Sequence, residues 1–361
     1  MPAPGLGADP DGPRFAHATL ADFAAAIFAA EGLPRADAGT VAAALVAADL
    51  RGFDTHGVIR VPAYVRRLRA GLINPSPRIT AQSRRAFATV IDGDNAMGPV
   101  AVAQALAACR DAADRLGIGV ATVRRSNHFG AASVHTVPFA RAGCIAIAMS
   151  PGAKSLAPHG SRAPLLGTNP MAVAAPAGRH APWSLDMAAS VAARGHIRLA
   201  QQEGRAIPEG WALDSAGRPT SDPKAALRGV VLPFGGAKGS ALSMMVDILG
   251  GVLSGAGFCG TTRDWNADFG GPADVGHFFL VMQVDAFMDL PEFEGRMETA
   301  IARLKALPPA EGVDEVLYPG ERAGRTEAAR LAHGVPLTPG AVAELAAFGA
   351  GHGLSLPDPL P

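Results

Sequence analysis

His56 and Arg60 stand four residues apart in the polar stretch Phe53-Asp54-Thr55-His56-Gly57-Val58-Ile59-Arg60. An imidazole that near a guanidinium suits a substrate with a carboxylate beside a carbonyl. The guanidinium grips the carboxylate through paired hydrogen bonds while the imidazole trades a proton with the carbonyl oxygen. A histidine in that role is expected to titrate around neutrality. The stretch reads as a turn between two helices, and groups on turns held by rigid elements are where binding and catalysis concentrate. A solvated histidine and arginine on an ordinary surface turn is the competing account, and composition does not choose between them.

The glycine-rich segments come next. Gly235-Gly236-Ala237-Lys238-Gly239-Ser240 precedes an apolar helix, so free N–H groups at a helix start and one lysine face the same place. That arrangement suits a phosphate, and equally a plain helix start with a solvated lysine. It is not a P-loop, because Gly239 stands where Ser or Thr is required. Gly255-Ala256-Gly257-Phe258-Cys259-Gly260 matches G-x-G-x-x-G, but a helix precedes it and Thr261-Thr262-Arg263-Asp264-Trp265-Asn266 cannot continue as one. The dinucleotide fingerprint needs the reverse order, strand then helix, so this match is a decoy. Ser126-Asn127-His128-Phe129-Gly130 follows a predicted strand, a position favoured for ligands, or else it merely caps a helix. Gly167-Thr168-Asn169-Pro170 is either a loop or a ligand loop. The ten histidines show no zinc spacing, and no G-x-S-x-G elbow appears.

The elements that must position these groups are legible because 43 glycines and 30 prolines punctuate the chain. A helical pattern runs over 23–50, broken at Gly32-Leu33-Pro34, with Asp37 as cap of its second part and Gly52 past its end. A short helix with Pro62 in its first turn and Gly71 at its stop follows the His56 turn. Strands are predicted at 88–92, 119–123, 145–149 and 278–284, the last buried on both faces, with short extended pieces at 171–175 and 183–186, and Val230-Val231-Leu232 leads into the glycine loop before Lys238. Helices are predicted at 100–116, 131–142, 240–253, 297–307 and 340–348, with 150–220 otherwise loop-rich. The alternation gives an α/β class, with the two helical ends packing together.

Composition sets the outer limits. The chain has 361 residues, with 32 basic against 32 acidic. That balance argues against a nucleic-acid partner, which requires a basic patch. Only 18% of residues are charged and 48% are hydrophobic, a surplus most easily buried between subunits. Cys109, Cys144 and Cys259 form neither a disulfide framework nor a metal ribbon, as suits a reducing compartment. No segment reaches the length of a membrane span, and Met1 to Arg14 lacks the layout of a signal peptide. A cytoplasmic protein with a flexible leader is expected.

Several collinear motifs together resemble the malate/L-lactate dehydrogenase family of the non-Rossmann type. They include Arg51-Gly52…Thr55-His56-Gly57-Val58…Arg60…Tyr64…Arg67-Leu68…Gly71, Arg125 to Gly130, and Gly167 to Pro170. Asp186-Met187-Ala188-Ala189-Ser190…Ala193-Arg194-Gly195, Ile207 to Asp214, Leu232 to Gly239 and Tyr318-Pro319-Gly320-Glu321 continue the series. The resemblance implies a dimeric NAD- or NADP-dependent oxidoreductase. Its non-Rossmann α/β coenzyme domain would span 81–285. A helical substrate and dimerisation domain would be built from 17–80 and 286–361, after a leader over 1–16.

The reaction implied is hydride transfer between nicotinamide and a small 2-oxoacid or 2-hydroxyacid. A cyclic imino acid reductase and a non-catalytic dinucleotide-binding protein are the alternatives. Carried over by motif, His56 is the acid/base, with Thr55 beside it where many relatives have Ser, and Arg60 is the carboxylate clamp. His128 lines the substrate or coenzyme site. Ser126, Phe129, Gly130, Thr168, Asn169, Asp186, Met187, Ala188, Lys238, Gly239, Pro319, Gly320 and Glu321 are the implied coenzyme contacts. Some reductases have an acid where this chain has His196, which leaves the group supporting His56 open.

Overall fold

The structure is a computed structural model and describes residues 12–360. Most of the expected 1–16 leader lies outside the described residues. The part inside is not a free tail: β1 (Arg14–Phe15) begins the fold, and Phe15 is fully buried. There follow α1 (His17–Ala30), α2 (Arg35–Leu50) and, beyond two single turns of 3₁₀ helix, α3 (Val61–Arg69). The chain then runs through β2 (Thr80–Arg85), β3 (Ala88–Asp92), α4 (Gly98–Leu116), β4 (Ile118–Ser126), α5 (Ser133–Arg141) and β5 (Cys144–Met149). The middle holds β6 (Met171–Ala175), β7 (Trp183–Met187), α6 (Arg194–Gln202), β8 (Ala212–Leu213), α7 (Pro223–Arg228), β9 (Val230–Val231) and α8 (Ala237–Asp247). Last come β10 (Val275–Gln283), α9 (Leu290–Lys305), α10 (Glu321–His333), β11 (Val335–Pro336) and α11 (Pro339–Ala350).

The centre is a seven-stranded sheet in the order β2-β3-β4-β10-β5-β6-β7. Only β3 and β4, joined through α4, run parallel in it; the other neighbours are antiparallel. β10 sits between β4 and β5, and its first five residues are all buried. That is why its sequence does not alternate. The apolar core continues without a break from Phe28, Leu45 and Tyr64 of the N-terminal helices to Ile91, Val123 and Phe279 of the sheet and Leu345 of α11. A satellite cluster around Leu156, Leu166, Ile197 and Val231 holds the loop-rich middle.

Local chemistry sets the element ends. Pro62 lies in the first turn of α3, and Gly71, at φ +68°, follows its end. Asp37 does not cap α2: it lies inside the first turn, behind Pro34 at the N-cap, and there it can serve only the helix dipole. The decoy glycines form turns, with Gly255, Cys259 and Gly260 all at positive φ and no helix after them before β10.

β2, α6 and α10 are among the elements beyond those expected from the sequence. β2 is an exposed polar edge strand without an apolar face. α10 buries charges rather than an apolar stripe, namely Glu321 and Arg330. The two chain ends do meet, through β1 with β11, Arg51 with Glu327, and Asp54 with Arg330. α9 is the exception, packing through Ile301 on Ala177 and Tyr318 beside β7.

Candidate active site

The His56 turn is held from two sides. Asp49, at the end of α2, accepts the Val58 N–H at 2.8 Å, and a Cβ on Gly57 would overlap its carboxylate. Arg330 of α10 donates to both the Asp54 carboxylate and the Asp49 carbonyl. Within this frame the Thr55 hydroxyl meets His56 Nδ1 at 2.9 Å. That bond fixes the imidazole and leaves Nε2 to exchange a proton. Thr55 is therefore the group on His56, and His196, at the start of α6, is not.

Arg60 Nε donates to the Thr55 carbonyl at 2.5 Å, so one residue orients both side chains, His56 through its hydroxyl and Arg60 through its carbonyl. No hydrogen bond to a described residue occupies the two terminal nitrogens of Arg60. They remain available as a fork for a carboxylate. Burial, and then the Arg60 charge, push His56 down to about 4. This lies below the neutral range expected for a turn histidine, because the ring is enclosed and faces a cation.

His128 follows the end of β4, as the strand-end position implied. Its Nδ1 meets the Tyr64 hydroxyl at 2.7 Å, and its ring stacks on His56 at 5.6 Å and on Trp265 at 4.3 Å. Burial and the neighbouring charges hold it well below the usual imidazole range. His56, Arg60 and His128 are thus brought together. Tyr64 and Trp265 join them without having been singled out as site residues. Tyr64 had a usable signal, since it lies one helical turn after Arg60 on the same face. Trp265 had none, being one residue in a polar glycine-rich loop.

The implied coenzyme residues divide. The Thr168 carbonyl accepts from Ala189 N, and the Ala189 carbonyl accepts from Phe234 N at 3.1 Å. This joins the Thr168 loop, the Asp186-Met187-Ala188 strand end and the glycine loop before Lys238. Gly235 and Gly236 have φ of +58° and +61°, and Lys238 is exposed in the first turn of α8. A Cβ on Gly239 would overlap the Phe234 carbonyl, so the glycine there serves the tight turn. Beside this loop opens a cleft of about 540 Å³ that includes His159, Arg162, Val191, Pro233, Gly235 and Gly236. The Pro319 carbonyl accepts from Ser184 N at 2.9 Å, which sets the Pro319-Gly320-Glu321 turn against the same strand, β7. The N–H groups of Gly236, Lys238, Gly239 and Ser240 are spent within the turn, which leaves those of Gly235 and Ala237 and the exposed Lys238 ammonium, without an ion pair among the described residues, as the donor set for a dinucleotide phosphate.

Other implied contacts face inward and need correction. Ser126, Phe129 and Asn169 are fully buried. Ser126 bonds His277, Phe129 stacks between His135 and His277, and Asn169 ties Gly152 N to the Ser243 carbonyl. Each shapes the site from behind, with no surface of its own to offer a coenzyme. Gly130 is also buried, at φ +86°, and serves the turn into α5. The Glu321 carboxylate is committed to Lys305 and Arg325, which leaves the turn's backbone as its accessible part. Asp186 accepts the Ser133 N–H at 2.8 Å, and burial raises its pKa.

The sequence model described as malate/L-lactate dehydrogenase matches residues 15–346. The chain belongs to this family. It is 36% identical to a malate dehydrogenase of Pyrococcus abyssi over 326 residues, 88% of this chain and 89% of that protein. It is 37% identical to an L-sulfolactate dehydrogenase of Methanocaldococcus jannaschii over 290 residues, 80% of this chain and 83% of that one. The solved structure of sulfolactate dehydrogenase from Methanocaldococcus jannaschii superposes with a TM-score of 0.88 at 33% identity, covering 95% of this chain and 98% of that chain. As a malate/L-lactate dehydrogenase family member, the protein is an NAD(P)-dependent oxidoreductase of 2-hydroxyacids on a non-Rossmann α/β fold.

Proposed function

We propose that the chain interconverts a small 2-oxoacid and its 2-hydroxyacid with His56 as the proton-exchanging group and Arg60 as the carboxylate clamp. The observation that carries this reading is the shared anchor at Thr55: its hydroxyl holds His56 Nδ1 and its carbonyl holds Arg60 Nε. The two functional ends, Nε2 and the guanidinium fork, are left side by side. A carboxylate on the fork sets the adjacent carbonyl oxygen toward the imidazole, which donates in reduction and accepts in oxidation. Tyr64 holds His128 as the neighbouring wall. When bound, the nicotinamide supplies or takes the hydride. Lys238 and the α8 start would hold coenzyme phosphate, with Thr168, Asp186, Met187, Ala188 and the Pro319-Gly320-Glu321 backbone as the further coenzyme contacts. A cyclic imine reductase is the weaker reading, because the relatives compared above carry hydroxyacid dehydrogenase names.

In this reading the sheet part, 81–285, carries the coenzyme, and the two helical ends carry substrate groups. Cytoplasmic placement agrees with three cysteines that are all free. Among the described residues no helix is long and apolar enough to cross a membrane. A homodimer is supported by Met244, Ile248 and Val252, which lie exposed at successive turns of α8 and its π-helical extension, with Leu253 beside them. Purified protein should oxidise NADH or NADPH with at least one of pyruvate, oxaloacetate or 3-sulfopyruvate, and sediment at twice the chain mass. Consumption with cyclic imines alone would overturn the substrate assignment.

A further inference from the structure

Trp265 touches three groups of the site at once. Its indole stacks on His128 with 4.3 Å between centroids and 23° between planes, and meets Tyr64 edge-on at 5.5 Å. The Arg60 guanidinium carbon lies 5.2 Å from the indole centroid, over its face. His128 in turn stacks on His56, so three nearly parallel rings run from the catalytic turn to the loop.

The loop that delivers the indole is tied down at a buried arginine. Arg67 is 1% exposed, yet its guanidinium donates to the Asp268 carbonyl at 2.8 Å and the Gly271 carbonyl at 3.2 Å. It also lies over the Phe269 ring at 5.5 Å. Arg60, Tyr64 and Arg67 follow one another at helical spacing, so one face carries the clamp, the His128 partner and the loop anchor. Burying a guanidinium to fix two loop carbonyls is costly unless its donors are used. Here both terminal nitrogens hold the loop whose apolar contact with the site is Trp265, while the buried Nε is left without a partner among the described residues.

We propose that Trp265 is a positioning and specificity-determining residue of the substrate site: it orients the Arg60 fork and walls the space for the substrate's third carbon. This rests on the reading of His56 and Arg60 given above. Arg60 is pinned at Nε by Thr55 and across its face by the indole. Only the terminal nitrogens are left, already in the plane a carboxylate needs. An arginine without that support loses side-chain freedom on every binding event, which weakens binding of the 2-oxoacid. The rigid indole face beside His128 also limits the bulk of the substituent on the substrate carbon next to the carbonyl. The substrate class is therefore 2-oxoacids with a compact third carbon, not aromatic ones.

The test is steady-state kinetics of Trp265→Ala and Trp265→Phe with oxaloacetate, pyruvate and phenylpyruvate at saturating coenzyme. For Trp265→Ala the expected result is a KM about tenfold higher for the compact acids. The phenylpyruvate to pyruvate ratio of kcat/KM rises as well, and coenzyme Kd is unchanged. Trp265→Phe, which keeps an aromatic face, recovers most of the lost affinity. In a Trp183→Phe/Trp211→Phe background, oxamate added to the coenzyme complex should quench the remaining fluorescence. A folded Trp265→Ala protein with unchanged KM and unchanged ranking overturns the inference. So does one that only melts earlier, since that assigns the indole to loop packing. Wild-type turnover and the His56 and Arg60 variants, assayed alongside, separate this failure from failure of the catalytic reading.

Discussion

The carboxylate of Asp49 occupies the space that a Cβ on Gly57 would fill, while its Oδ2 receives the Val58 N–H at 2.8 Å. The His56 turn is thus closed against α2 by one side chain and one missing side chain. Gly57 has an ordinary φ of −87°, so crowding rather than backbone conformation requires glycine. Gly57→Ala should destabilise the protein by about 1–3 kcal/mol through overpacking. Asp49→Ala should cost about as much by leaving a buried N–H unpaired. The double variant should cost clearly less than the sum, because removing the carboxylate makes room for the methyl. Denaturant unfolding of the three proteins measures this. Strict additivity would mean the two residues do not oppose each other.

Four histidines are buried or nearly so around this turn and the sheet behind it, and burial sets their titration. His135 is pushed down to about 4 and His277 to about 3, the latter also facing His135. Their folded values lie below the unfolded value of about 6.5, so the unfolded chain binds the protons first. The stability they contribute is fully present above pH ~6.5 and is lost as pH falls from there through the folded values. Each such group adds up to about 1.4 kcal/mol per pH unit to the slope, and His56 and His128, also lowered by burial, act in the same direction. Urea midpoints measured between pH 8 and 5 should fall accordingly, and His277→Gln should flatten the slope. A stability constant from pH 7 to 5 would contradict the neutral, buried state of these rings.

Much of this arrangement was legible in the sequence where an apolar pattern or punctuation carried it. The β3–α4–β4 unit, the buried β10 and the proline-to-glycine span of α3 all have such signals. The His56 and Arg60 pairing was visible because both lie in one short turn. What escaped was held together by charge or by distant loops. α10 buries Glu321 and Arg330 in place of an apolar stripe, so no hydrophobic period marked it. Ser126, Phe129 and Asn169 sit inside site-like motifs yet face the core, a distinction spacing alone does not make. Trp265 reaches His128 across more than a hundred residues, by way of an arginine on α3.

Lys238 separates a phosphate contact from a solvated helix start. It is exposed, follows two glycines at positive φ, and has no ion pair among the described residues. Lys238→Ala should weaken coenzyme binding by roughly tenfold to a hundredfold, since a charge-assisted hydrogen bond contributes about 1.5–3 kcal/mol. KM for the 2-oxoacid at saturating coenzyme should hardly move. Direct titration of coenzyme by fluorescence gives the answer, and an unchanged Kd would remove Lys238 from the site.

The acid/base assignment has its sharpest consequence in how Arg60 bears on His56. Burial is the larger cause of the depressed histidine and the Arg60 cation the second. Removing that cation in Arg60→Met should raise the His56 titration, which lies at about 4 in the free protein. An NMR titration of the ring protons would show it. A bound carboxylate offsets the same charge, so His56 should hold its proton to higher pH in the substrate complex. Reduction needs the protonated ring. Its kcat should therefore fall with rising pH at a higher apparent pKa than its kcat/KM, which reports the enzyme before substrate binds. Oxidation should rise where reduction falls. His56→Ala should lower kcat by about 10²–10⁴-fold with coenzyme affinity intact, because proton transfer contributes only in the transition state. Arg60→Lys keeps the charge but loses the fork, so it should chiefly raise KM. A folded His56→Ala protein that binds coenzyme and turns over near the wild-type rate would move the proton-exchanging role to His128, the ring stacked beside it.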